Sequence, residues 1–151
     1  MKTFESIDEI LDFAMKSEQE AVDFYTALAE RMKNLQMKEV FLQFAREEVG
    51  HKARLQKIKE EKLFDMEVEQ VKDLKIADYV VATKSREDME YADALVLAMK
   101  KEKAAFKLYN TLAERTNNPD LRKAFQALAV EESKHKLRFE IEYDEYVMRE
   151  N

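Results

Sequence analysis

The sequence predicts an all-α protein, a four-helix bundle made of two antiparallel helical hairpins joined by a long crossover. Three observations carry this expectation. The 151 residues include one Gly and one Pro, so little interrupts long helices. Hydrophobic residues make up 46% of the chain and charged residues 38%, a mixture that suits amphipathic helices and is too rich in apolar side chains for a disordered segment. The third observation is an internal repeat. Residues 11–55 align with 95–139 at an offset of 84, and nineteen of the 45 positions are identical, far above chance. The length is that of one domain with a well-buried core, so 1–151 is expected to be a single domain.

The elements follow from the spacing of apolar residues in threes and fours. A first helix presents Ile7, Leu11, Ala14, Glu18, Ala21, Tyr25, Leu28 and Met32 on one face. A second presents Met37, Phe41, Phe44, Glu48, His51, Leu55 and Ile58. The third carries Tyr91, Leu95, Ala98, Glu102, Ala105, Tyr109 and Leu112, and the fourth Leu121, Phe125, Leu128, Glu132, His135 and Phe139. Ser6 with Glu9 predicts a capping box at the first helix, and Ser85 with Asp88 a similar one before the third. Asn118-Pro119 sets a capping residue before a Pro at the first helical position. Breaks at 33–36 and 117–118 are short, so each hairpin is antiparallel. The crossover, 61–84, is long enough to return along the bundle; within it, 71–81 reads equally as extended chain or a short helix.

Composition also excludes chemistry. Without cysteine there is no disulfide, thiolate metal site, iron–sulfur cluster or Cys nucleophile. A cytoplasmic location is the expectation. No apolar run reaches the roughly 18 residues of a membrane span, and the N-terminus lacks a signal-peptide apolar region. A net charge of −6 argues against a nucleic-acid partner. The lysine-rich stretch 52–62 includes Glu60 and Glu61 and reads as a solvated helix face.

Each apolar face is interrupted by polar residues at one level. The first helix of each repeat offers one Glu there; the second offers a Glu and a His three residues apart. Residues i and i+3 project from the same side of a helix, so Glu48 and His51 form one gripping pair and Glu132 and His135 another. Glu18 precedes Glu48 by 30 residues, as Glu102 precedes Glu132. In antiparallel hairpins this equal spacing brings the levels together. Four buried carboxylates would repel one another and lose solvation, whereas two divalent cations neutralise them. The expected metal ligands are therefore Glu18, Glu48, His51, Glu102, Glu132 and His135, and both histidines of the chain are among them. Glu20, Glu47 and Glu131 have the wrong helical phase. Tyr25 and Tyr109 lie seven residues after Glu18 and Glu102 on the inward face, placed to hydrogen-bond a ligating carboxylate on another helix. The methionines read as packing.

These motifs, Glu18-x-x-Ala21-x-x-x-Tyr25 with Glu48-x-x-His51, repeated as Glu102-x-x-Ala105-x-x-x-Tyr109 with Glu132-x-x-His135, resemble the rubrerythrin group of the ferritin-like superfamily over nearly the whole chain. The resemblance implies a non-haem di-iron centre that cycles between diferrous and diferric states and reduces hydrogen peroxide. It implies that Glu18 and Glu102 are ligands from the first helix of each repeat, that Glu48 and Glu132 are carboxylates able to bridge the irons, and that His51 and His135 bind one iron each. Full rubrerythrins also carry a Cys₄ rubredoxin domain; with no Cys here, electrons must come from an external donor such as a rubredoxin. Rubrerythrins have an extra carboxylate on the third helix, where this chain offers Ala105 three residues after Glu102. Bacterioferritins bind haem through a Met directly after the first Glu of Glu-x-x-His; Val49 and Ser133 hold that position, so no haem is expected.

The leading expectation is a di-iron oxidoreductase that reduces peroxide or dioxygen, with manganese or a mixed pair also suited to these ligands. The alternatives are an iron-binding ferroxidase or storage protein, a di-metal hydroxylase, and a metal-dependent sensor. Self-association into a homodimer is in keeping with a bundle of this kind.

Overall fold

The computed structural model describes residues 2–61, 73–81 and 89–150. Among them are four α-helices, one 3-10 turn and an isolated antiparallel bridge between Thr3 and Lys75. Chain contacts divide the protein into two compact units, Phe4–Asp73 and Met1–Thr3 with Leu74–Asn151. Each unit contains one copy of the repeat as a helical hairpin.

In the first unit α1 (Ile7–Arg31) packs on α2 (Leu35–Glu60). The Ser6 hydroxyl accepts the Glu9 backbone N–H at 3.0 Å, the expected N-cap. The buried stripe of α1 includes Leu11, Ala14, Glu18, Ala21, Tyr25 and Leu28; that of α2 includes Met37, Phe41, Glu48, His51, Leu55 and Ile58. Ile7, Met32 and Phe44, expected on these faces, are half-buried at their margins. The break is earlier and tighter than 33–36. Leu35 and Gln36 are already helical because the Asn34 side chain caps α2, accepting the N–H groups of Gln36 at 2.9 Å and Met37 at 3.2 Å. An ion pair between Lys59 and Asp12 at 2.6 Å joins the far ends of the helices.

In the second unit α3 (Tyr91–Arg115) packs on α4 (Pro119–Glu150). Asn118 caps α4 as expected, accepting from Asp120 at 2.9 Å and Leu121 at 3.2 Å. The Arg122 guanidinium donates back to the carbonyls of Ala113 at 3.2 Å and Thr116 at 2.8 Å, satisfying groups left open where α3 ends. Leu95, Ala98, Glu102, Tyr109 and Leu112 are buried on α3, and Leu121, Phe125, Leu128, Glu132, His135 and Phe139 on α4. Tyr91 and Ala105 are half-buried. Within 71–81, Ile76–Tyr79 forms the 3-10 turn, and the Ile76 N–H donates to the Lys2 carbonyl at 3.2 Å. Tyr79 lies against α3, its hydroxyl 3.5 Å from Thr111 and its ring beneath the Lys107 ammonium. Val71, Lys72 and the capping pair expected at Ser85 and Asp88 lie outside the described residues. No helix of the described residues is long and apolar enough to cross a membrane.

Candidate metal centre

Three turns into α1 the apolar stripe is interrupted by Glu18, and midway along α2 by Glu48 and His51. The i, i+3 spacing puts the latter two on one face, and the Asn34 cap sets the level at which they meet α1. His51 Nδ1 lies 3.3 Å from Glu48 Oε1 and 3.6 Å from Glu18 Oε2. Each of the three offers a ligand atom within 4.8 Å of those of the other two. The second hairpin repeats the arrangement. His135 Nδ1 is 3.5 Å from Glu102 Oε1, and Glu102, Glu132 and His135 also bring ligand atoms within 4.8 Å of one another. All six residues are at most 2% exposed.

The electrostatics of the first set follow from this enclosure. Burial raises the Glu18 carboxyl well above its ordinary range, and the adjacent Glu48 pushes it in the same direction, while His51 acts against both. Burial alone would lower the His51 pKa, but hydrogen bonding and charge from Glu18 and Glu48 outweigh it and bring it to about 10. Two acids and a base this close, removed from water, form a donor set suited to a cation: carboxylate oxygens and imidazole nitrogen are the ligands of iron, manganese and zinc. The donors therefore fit the metal expected from the sequence.

The carboxylates of the other helical phase are less buried. Glu20 is exposed, and Glu47 and Glu131 are half-buried beside the buried sets. Tyr25 and Tyr109 are fully buried. The Tyr25 ring meets Phe44 edge-on at 6.4 Å, and the Tyr109 ring stacks on Phe125 at 6.5 Å. One buried carboxylate escaped the sequence reading. Glu142, 3% exposed, accepts from the Tyr91 hydroxyl at 3.2 Å and pairs with Arg149 at 3.2 Å. Its signal was present in the repeat: Tyr91 and Glu142 stand where the first hairpin has Ile7 and Ile58, so two polar residues replace two apolar ones together.

The family model for rubrerythrin matches residues 9–143. The chain belongs to the rubrerythrin family. Among solved structures, a Thermotoga maritima protein assigned to the ferritin-like diiron-carboxylate class is 24% identical, covers 97% of this chain and 99% of its own, and superposes with a TM-score of 0.79. A hypothetical protein from Pyrococcus furiosus is 30% identical over 92% of this chain and 89% of its own, with a TM-score of 0.72. No curated protein sequence matches. The likeness over almost the full length shows the fold class expected from the sequence, a ferritin-like four-helix bundle. The chain carries one Glu and one Glu-x-x-His pair in each half and contains no cysteine.

Proposed function

We propose that this rubrerythrin-family chain is a single di-metal domain that reduces hydrogen peroxide or dioxygen at a pair of iron ions, with electrons from an external donor protein. The observation that carries the reading is the duplicated donor set: one Glu and one Glu-x-x-His pair in each hairpin, all six side chains buried. Glu18, Glu48 and His51 would supply one half of the ligands and Glu102, Glu132 and His135 the other. Four carboxylates balance two divalent ions, which resolves the cost of burying the acids. When bound, the metal pair supplies two electrons to a small oxidant at one place.

The remaining work belongs to the chain. The apolar stripes above and below the six residues keep bulk water out and hold the ligands in fixed rotamers. His51 and Glu18, both with raised proton affinity in the metal-free protein, are placed to exchange protons when charge changes beside them. Tyr25 and Tyr109, both buried, would each orient a ligating carboxylate by donating a hydroxyl hydrogen bond to it. Without cysteine, the donor of electrons is a separate molecule such as a rubredoxin, and the expected location is the cytoplasm. Anaerobic protein loaded with ferrous iron and mixed with stoichiometric peroxide is expected to oxidise within the mixing time of a stopped-flow experiment, read from near-ultraviolet absorbance. Iron that oxidises no faster than free ferrous ion would overturn the assignment.

A further inference from the structure

The outer face of α4 carries an apolar stripe that the repeat does not require. Val130, Leu137, Ile141 and Met148 are 50%, 56%, 43% and 77% exposed. The equivalents of the first three in α2 are Arg46, Ala53 and Lys57, all exposed. The same helical position in the same hairpin is therefore polar or small in one copy and large and apolar in the other, so the fold itself does not call for the stripe. Adding the exposed Lys134 and Asp144, the spacing 130, 134, 137, 141, 144, 148 alternates four and three, the seam of a coiled coil.

That seam is palindromic. Leu137 and Ile141 stand two residues either side of Phe139, Lys134 and Asp144 five, and Val130 and Met148 nine. Two copies of α4 laid antiparallel about the level of Phe139 set Leu137 on Ile141, Lys134 on Asp144 and Val130 on Met148, each contact made twice. Such self-complementarity is the property of an isologous twofold interface. A partner of unrelated sequence has no reason to impose a symmetric order of apolar, basic and acidic positions. Close to the axis the pairing brings Arg138 and Glu140 near their own copies, but each has an oppositely charged neighbour on its own helix. Arg138 faces Glu142 at 4.0 Å, and Glu140 holds Lys136.

We propose that the exposed face of α4 docks a second copy of this chain, antiparallel, in the register that pairs Lys134 with Asp144. The seam spans about 27 Å at 1.5 Å per residue, and it closes on itself, so assembly stops at the dimer.

Sedimentation equilibrium on the full chain tests this. Wild type is a dimer at tens of micromolar. Leu137→Glu is a monomer with unchanged helicity, since the side chain lies on the surface. Lys134→Asp and Asp144→Lys each raise the dimer dissociation constant by about tenfold or more. The double variant Lys134→Asp/Asp144→Lys returns it to near the wild-type value, which only a Lys134–Asp144 contact between copies explains. A monomeric wild type would overturn the proposal and leave the stripe to a different protein. A dimer indifferent to Leu137→Glu would assign self-association to another surface, and failure of the double variant to recover would exclude the register.

Discussion

His51 stands between two acids, and its chemistry is set by them. With a pKa brought to about 10, the imidazole of the metal-free protein holds its proton at neutral pH, and the raised Glu18 carboxyl adds proton-binding capacity beside it. A metal ion entering this set must displace at least the histidine proton. The sign is fixed: protons compete with metal, so affinity falls as pH falls. For one displaced proton it changes about tenfold per pH unit at any pH below about 10. Metal titrations at several pH values between neutral and mildly acidic should show this slope, whereas a pH-independent affinity would mean that His51 is not a ligand. Helical phase was enough to separate Glu18 from Glu20 and Glu48 from Glu47, because the period of 3.6 residues leaves no ambiguity over so short a distance. Phase also places Glu142 on the stripe of His135 and Phe139, but what a carboxylate does there follows only from its partners Tyr91 and Arg149.

At the scale of the elements, the hairpin turns decide at what level the donors meet. Asn34 and Asn118 are repeat-equivalent, and each accepts two backbone N–H groups at the start of the second helix of its hairpin. Only Asn118 was legible beforehand, because Pro119 marks the first helical position. Asn34 lacks that signpost, and α2 begins two residues earlier than the break expected at 33–36 would allow. Asn34→Ala should cost about 1 kcal/mol of stability, measured by urea denaturation, with the m-value unchanged; no loss would mean that the turn is held by packing alone. The crossover was the least legible part. Its Ile76–Tyr79 turn is fixed by long-range contacts, the Lys2 carbonyl on one side and Thr111 and Lys107 on the other, which no local pattern announces.

For the whole molecule, the duplication explains why so much was readable. A repeat with an offset of 84 fixes two hairpins, equalises the levels of their donors and exposes every position where the copies differ. Those differences are informative in their own right: the exposed stripe of α4 and the Tyr91–Glu142 pair are departures of the second hairpin from the first. The metal reading rests instead on what the two copies share. A bound metal pair should also couple to folding, since it binds the native chain and has no preformed site in the unfolded one. The most direct test counts the ions. After anaerobic titration with ferrous iron and removal of excess, elemental analysis of wild type should give two irons per chain. His51→Ala and His135→Ala should each give about one, with a thermal midpoint that responds less to metal than that of wild type. Fewer than one tightly bound iron in the wild type, or a count that neither histidine substitution changes, would contradict the duplicated donor set as a metal centre.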